Sequence, residues 1–440
     1  MKMSTPQSVQ KRYLLEPRRK VSGALTIPGD KSVSHRALMF GGIADGVTEI
    51  TGFLDSEDCL ATLKALQSLG VRIERPSAKH VIVHGVGANG LRGVDTPLDM
   101  GNAGTAMRLS MGLLAGQSFK STLIGDSSLM RRPMERAAAP LRLMGARIQT
   151  QDGKPPVQID GHHPLKAVTY ALPIASAQVK SAILLATLKA DGITRVTEPA
   201  PSRDHTERML SAFGVKISRE GSTVVLEGGQ PLTGGPVQVP ADFSSAAFFL
   251  VAGCLAAEEG LLLKNVGINP TRTGLLELLR MMGADIRISE KSGVGEPIAD
   301  IEVRASRLRG ITVPEALVPL AIDEFPIFFI AAAAAEGETI VTGAHELRVK
   351  ESDRLAAMAE GLAVLGVEHQ LLPDGLSIHG AGEWGGGIID SHGDHRIAMS
   401  FAIASLRART PIEILDVANV GTSFPEFVAI ARAAGLQLID

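Results

Sequence analysis

Six times, at spacings of roughly 70–80 residues, the chain repeats one design. Each copy opens on a polar, often charged turn that runs straight into an apolar segment. A short strand pattern follows, then a polar loop, then a helix pattern that stops at a glycine. The stops are Leu69-Gly70-Val71, Met144-Gly145-Ala146, Phe213-Gly214-Val215, Met282-Gly283-Ala284, Leu365-Gly366-Val367 and Ala434-Gly435-Leu436. In the first copy Leu60, Leu63, Leu66 and Leu69 share one helix face. Glycine is the expected stop, and a strand such as Val71–Ile73 or Val215–Ile217 is expected just after it. The period is too long for a solenoid unit. A chain of 440 residues exceeds what one core supports, so the copies predict two domains of three units each. The turn-rich stretch Gly228–Pro240 is the expected joint. The strand Leu25–Ile27 precedes the first copy and is expected to pair elsewhere. Gly85–Gly93, Gly153–Pro156 and Gly380–Gly387 read as long connections.

The apolar segments are Ala37–Ile43, Leu109–Ala115, Ala182–Leu188, Ala246–Val251, Ile327–Ala335 and Ile397–Ala404. Helices apolar all round are buried. Their first turns are the opposite: Gly29-Asp-Lys-Ser32, Gly101-Asn-Ala-Gly-Thr105, Ser176-Ala-Gln-Val-Lys180, Asp242-Phe-Ser-Ser245, Asp323-Glu-Phe-Pro326 and His392-Gly-Asp-His-Arg396. Asp30, Ser32 and Ser34 are alternative N-caps for the first. Lys31 and Arg36 then sit near the positive end of a helix, an unfavourable place for cations unless an anion joins them. If the helices of each domain lie side by side, their ends face one cleft and form an anion trap.

The net charge of −3 gives no reason to expect a nucleic-acid or membrane partner, so anion binding must be local. Two cysteines, Cys59 and Cys254, are too few for a disulfide scaffold and suggest a reducing compartment. The basic stretch Met1–Lys20 lacks the apolar core of a secretory signal, and Glu16 argues against a transit peptide. The run Ala331–Ala335 is too short to span a bilayer and reads as a buried helix.

Arg131, Arg132, Arg348, Lys350, Arg354 and Arg396 lie around the loops and helix starts, and guanidinium forks suit carboxylate and phosphate. Among them stand the acids Asp242, Asp323, Glu324, Glu351, Asp353 and Asp394. Asp323 heads a very apolar segment, where burial and nearby cations would set its strength as a general base. His392 and His395 lack a third convergent ligand, so no metal is expected. Ser127 and Ser128 have no adjacent base, so a serine nucleophile is not expected. There is no P-loop or dinucleotide fingerprint.

Taken in order, Gly29-Asp-Lys-Ser-Val-Ser-His-Arg36, Gly101-Asn-Ala-Gly-Thr-Ala-Met-Arg108, Arg132-Pro133, Ser176-Ala-Gln178, Arg348-Val-Lys-Glu-Ser-Asp-Arg354 and Asp394-His-Arg396 resemble the motifs of the 5-enolpyruvylshikimate-3-phosphate (EPSP) synthases, closer to their class II. The resemblance runs from about Leu25 to the C-terminus. It implies an α/β fold of two similar domains, each of three βαβαββ repeats around buried parallel helices, the inside-out α/β barrel of the enolpyruvyl transferases. It implies that the first strand joins the second half, giving domains 1–28 plus 241–440 and 29–240 with the site between them.

The implied reaction moves the enolpyruvyl group of phosphoenolpyruvate to the 5-hydroxyl of shikimate 3-phosphate through a tetrahedral intermediate, a step of aromatic amino acid biosynthesis, with no cofactor and no metal. Lys31 resembles the lysine that touches both substrates. Ser32, Arg36, Ser176, Gln178 and Arg203, with Asp323 and Lys350, match the shikimate 3-phosphate side. Gly104, Arg132, Arg354 and Arg396, with Gln178, match the phosphoenolpyruvate side. Asp323 matches the aspartate that orients or deprotonates the hydroxyl, and Glu351 the glutamate beside the reacting carbon; the proton path among Lys31, Asp323 and Glu351 stays open. A cytoplasmic monomer is expected.

Two positions depart from class I members: Ala177 replaces a second serine, and Gly421-Thr-Ser-Phe424 stands where a lysine is found. Gly104 lies where a methyl would crowd the phosphoenolpyruvate pocket and glyphosate, and Leu109 and its neighbours leave sensitivity to that inhibitor open. Two other readings compete. The sister transferase acting on UDP-N-acetylglucosamine typically has a reactive loop cysteine, absent from Asp126–Pro133. A non-catalytic repeat scaffold would explain the repeats but not the mixed charges at the helix starts. Phosphate release that depends on shikimate 3-phosphate discriminates them.

Overall fold

The computed structural model describes residues 11–291 and 295–440. Residues 1–10, half of the basic N-terminal stretch, lie outside it. All six apolar segments are helices: α1 (Lys31–Ile43), α3 (Gly104–Ala115), α5 (Ala177–Thr187), α7 (Phe243–Ala256), α10 (Phe325–Ala334) and α12 (His395–Ala404). Every residue of α7 is buried, as is α10 up to Ala333. The glycine-stopped patterns are the outer helices α2 (Glu57–Ser68), α4 (Glu135–Leu143), α6 (His205–Ala212), α8 (Gly274–Met281), α11 (Arg354–Leu365) and α14 (Phe427–Ala434). Short turns α9 (Val318–Ala321) and α13 (Val420–Ser423) complete the set. Among the described residues no single helix is long and apolar enough to cross a membrane.

Each unit has its own small sheet. In the first, Val47–Thr51 lies between parallel Pro236–Gln238 and antiparallel His80–His84, which in turn pairs with Arg72–Ser77. The second and third units repeat this order. Sheets outside and helices inside make an inside-out α/β architecture. One buried cluster draws on positions 33–239; the other combines positions 13–27 with 241–438.

Two pairings flank the places where the chain crosses. Gly23–Thr26 runs parallel to Leu261–Lys264 in the fourth sheet, as the stray first strand required. Pro236–Gln238 closes the first sheet against Glu49–Thr51. The two passages lie side by side: Asp242 N donates to Pro28 O (2.8 Å) and Asp30 N to Pro240 O (2.7 Å).

Three local readings need correction. The strands after the glycine stops start late, at Arg72 and Ile217, because Val71 and Val215 each donate their N–H back to the helix, to Leu66 O and Leu210 O at 3.0 Å. That is the 6→1 bond of a Schellman cap, with Gly70 and Gly214 at positive φ. Gly153–Pro156 is not a long connection. Asp152 and Gly153 form a two-residue hairpin turn, both at positive φ, and Pro155–Pro156 lie inside the strand Lys154–Asp160. Finally, the basic N-terminal stretch contains a strand, Arg12–Glu16, inserted between Ile412–Leu415 and Gln437–Ile439. It supplies the strand that the sixth unit lacks, with Tyr13 and Leu15 buried.

Candidate active site

The first turns of all six inner helices open on one cavity of about 340 Å³. Local sequence explains how. Asp30 caps α1 by accepting from Val33 N (2.8 Å), and Asp242 caps α7 by accepting from Ser245 N (3.0 Å). Asp242 also accepts from Lys31 N at 3.0 Å, tying the two helix ends together. Asp394 heads α12 and accepts from Arg396 N (2.9 Å). Each carboxylate sits at the positive end of a helix, where it is favoured. Before α10 the chain bends by 120° between Glu315–Ala321 and Phe325–Ala334, and Asp323 stands in the bend.

Asp323 is the hub. Arg203 Nη2 approaches it at 2.5 Å, Lys350 Nζ at 3.2 Å and Arg354 Nη1 at 3.5 Å, while Arg396 Nη1 donates to its carbonyl at 3.0 Å. Burial alone would raise its pKa; Lys350, Arg203, Arg396 and Arg354 together outweigh burial and hold the carboxyl well below its ordinary value. Glu351 is similar: burial pushes it up, but Arg354 at 2.6 Å and Arg132 at 3.5 Å bring it well below the ordinary range. Arg354 also grips Asp394 through Nε (2.8 Å). Arg132 donates to Asn102 Oδ1 at 2.6 Å, and Lys31 Nζ pairs with Asp58.

Of the catalytic and substrate-binding residues that the resemblance implies, all but Arg36 face this cavity. Arg36 lies behind its wall, with Nε on Thr206 Oγ1 (2.8 Å), Nη2 on Ser181 Oγ (2.9 Å) and Nη1 on the carbonyl of Ser32 (2.9 Å). Arg348 also turns away, bonding Asp353 and Pro373 O. Glu324 is buried against Ser244. A Cβ at Gly104 would stand 3.0 Å from Arg108 Nη1 and 3.3 Å from Arg132 Nη1, so its bare backbone lets two guanidinium groups close in. Two donors inside the cluster, Arg132 Nε and Arg354 Nη1, are buried with no hydrogen-bond partner among the described residues. Buried donors are normally satisfied, and an anion between these two side chains would satisfy both.

The family model for EPSP synthase (3-phosphoshikimate 1-carboxyvinyltransferase) matches residues 15–430. The chain belongs to the EPSP synthase family. A 3-phosphoshikimate 1-carboxyvinyltransferase of Alkalilimnicola ehrlichii is 58% identical over 428 residues, spanning 97% of this chain and 96% of that protein. One of Methylococcus capsulatus is 57% identical over 96% of this chain and 97% of its own length. The solved EPSP synthase of Acinetobacter baumannii superposes with a TM-score of 0.88 at 53% identity, covering 98% of this chain and all (100%) of that one. Family membership extends along almost the whole chain, in agreement with the run of motifs.

In this EPSP synthase family member several cavity residues, some of them inside the quoted motifs, carry no role in the motif reading. Arg108 donates to Gln178 Oε1 (2.7 Å), and Gln178 Nε2 donates to Thr105 Oγ1 (2.9 Å). Arg108 was findable: it follows Gly104 by four residues and so shares its helix face. Asp58 was not, because nothing in the first turn of α2 distinguishes it from an ordinary helix-start acid. Arg136 and Glu346 meet across the cavity rim at 3.0 Å, a contact between distant stretches that no local pattern announces. Ser423, in the segment where class I members carry a lysine, reaches the cavity edge.

Proposed function

We propose that the chain transfers the enolpyruvyl group of phosphoenolpyruvate to the 5-hydroxyl of shikimate 3-phosphate and releases phosphate. The observation that carries this reading is the sharing of Asp323 and Glu351 among cations from both halves of the chain: Arg132 and Arg203 from one, Lys350 and Arg354 from the other. Such a cluster is poised to exchange its internal carboxylates for the phosphates and carboxylate of two substrates. The names of the relatives fit the same reaction.

Addition joins the 5-oxygen to C2 of phosphoenolpyruvate while C3 takes a proton. Elimination removes a proton from C3 as the C2–O bond to phosphate breaks. Asp323 accepts the hydroxyl proton, and Glu351 relays the proton at C3 with Lys31 beside both substrates. Both carboxyls are weak bases while their cations grip them. Substrate anions draw Arg203, Arg354 and Arg132 away, and each carboxyl then regains basicity inside the cleft. Chemistry is thereby tied to occupancy. Ser32, Ser176, Arg203 and Lys350 serve the shikimate 3-phosphate side, with Arg36 reaching it through Ser32. Gly104, Arg132, Arg354 and Arg396 serve phosphoenolpyruvate, and Gln178 lies between.

The domain division 1–28 plus 241–440 and 29–240 belongs to this reading, supported by the two separate buried clusters. So does a cytoplasmic monomer: one chain furnishes both faces of the cleft, and Cys59 and Cys254 are both free and buried. The test is phosphate release from phosphoenolpyruvate. It must require shikimate 3-phosphate, and release without that acceptor, or none with it, rejects the reading.

A further inference from the structure

The loop Ile268–Thr273, between the strand Leu261–Gly267 and α8, joins two parts of the other half of the chain through consecutive side chains. At one end Arg272 is an anchor. It pairs with Asp30, the cap of α1, through Nη1, and through Nη2 with Asp242, the cap of α7, at 3.2 Å and with Ser244 Oγ at 2.7 Å. At the other end Asn269, only 2% exposed, uses its whole amide. Its Nδ2 donates to Asp204 Oδ1 (2.7 Å) and to Glu296 Oε2 (2.9 Å). Its Oδ1 accepts from Thr271 N (3.0 Å) and Thr271 Oγ1 (2.7 Å). Thr271 Oγ1 in turn accepts from Asp204 N at 3.3 Å.

Asp204 and Glu296 come from opposite halves, and each bonds the same amide. Asp204 Oδ1 also accepts from Arg208 Nε (2.9 Å), and Glu296 Oε1 meets His205 Nδ1 (2.8 Å), while the Asn269 amide bonds both carboxylates at once and so ties the two elements together. Asp204 directly follows Arg203, whose guanidinium meets Asp323 at 2.5 Å. On the far side Ser202 bonds Glu198, so Arg203 is pinned by both of its neighbours.

We propose that Asn269 is a positioning residue for the transfer reaction: held by the Arg272 anchor, it fixes Asp204 and thereby presents Arg203 to the phosphate of shikimate 3-phosphate. This rests on the reading of Arg203 given under the proposed function. Asn269 itself touches no substrate.

The test is steady-state phosphate release by the full chain with each substrate varied in turn. Asn269→Leu keeps the size and removes both donors. It raises KM for shikimate 3-phosphate about tenfold, leaves KM for phosphoenolpyruvate within about twofold, and lowers kcat less than about threefold. In an Arg203→Met background, adding Asn269→Leu changes KM for shikimate 3-phosphate by less than about twofold, because residues acting through one another are not additive. Equal rises in both KM values, or independent effects in the double variant, overturn the proposal. If Asn269→Leu loses cooperative unfolding, Thr271→Val is used instead; it must give the same split at about threefold, and an equal or absent change overturns the proposal. An Arg203→Met variant with unchanged KM for shikimate 3-phosphate overturns it as well, and places the failure in the reading of the site rather than in the role of Asn269.

Discussion

Asp323 gathers more cation contacts than any other side chain in the cleft, and those contacts depress its basicity. Removing its charge while keeping its shape should leave substrate binding nearly intact, since the cations it releases are the substrate ligands. Asp323→Asn is expected to lower kcat by about 10²-fold or more with KM values little changed, the range for losing a proton-transfer group. Near-normal turnover would remove Asp323 from proton transfer. Histidine gives a second consequence at this scale. Burial, with Lys31 and Arg36 nearby, pushes the His35 imidazole down to about 3, and Nδ1 bonds Thr62 Oγ1 at 2.8 Å. The folded chain therefore keeps His35 neutral, whereas the unfolded chain protonates it below about pH 6.5. Because the unfolded state binds the extra proton, stability falls with pH across the window from about 6.5 down to about 3, by up to about 1.4 kcal/mol per pH unit. The carboxyls of Asp323 and Glu351 join in only at the acid end of this window, below about 4. Their depressed values stabilise the fold above the unfolded carboxylate range of about 4, and that contribution is lost only below it. Urea unfolding of His35→Gln between pH 6.5 and 5 should show a flatter slope than the parent chain; an unchanged slope would assign the acid sensitivity elsewhere.

At the scale of elements, the sequence displayed what local chemistry controls. Glycine stops, apolar inner helices and polar first turns all follow from capping and burial, and each reappears in its place. Contacts that are made between distant stretches were hidden. The strand Arg12–Glu16 carries only a short alternation and gains its identity from Ile412–Leu415, almost the whole chain away. Arg36 shares its motif with Lys31 and Ser32, which line the cavity, yet its side chain turns to Thr206 and Ser181 on neighbouring elements. Helix-to-helix closeness was equally invisible. In α3, a Cβ on Gly112 would stand 2.0 Å from the carbonyl oxygen of Ala182 in α5. A backbone atom cannot swing aside as a side chain does, so the two inner helices would have to separate. Gly112→Ala is expected to destabilise the chain by about 3 kcal/mol, the upper end for overpacking, outweighing the fraction of a kilocalorie that alanine adds to helix propensity. A lower urea midpoint at constant slope is the expected result; an unchanged midpoint would mean that α3 and α5 do not pack this closely.

For the whole molecule the question is why two halves that the chain crosses between twice should meet around a charged cavity at all. Among the described residues its lining carries nine Lys and Arg side chains against five Asp and Glu, an excess of four positive charges on a chain whose net charge is −3. The ion pairs across the cleft offset part of that repulsion. Those at the rim are weak: Arg136 is about half exposed, and the Arg136–Glu346 pair contributes at most about 1 kcal/mol, less in salt. The paired passages at 28–30 and 240–242 are bonded backbone to backbone and stay together as a hinge. A firm hinge, a weak rim and a surplus of like charge describe a cleft that opens readily and is closed by anions. Shikimate 3-phosphate should therefore shrink the radius of gyration in solution scattering, beyond the error of the measurement, and sulfate at equal ionic strength should shrink it less because it spans only one face. Arg136→Ala should enlarge the unliganded radius and still contract with shikimate 3-phosphate, since the charges that drive closure lie deeper, at Lys31, Arg132, Lys350 and Arg354. A radius unmoved by saturating shikimate 3-phosphate would mean that the halves are already locked, and that the excess charge is balanced by something other than the substrates.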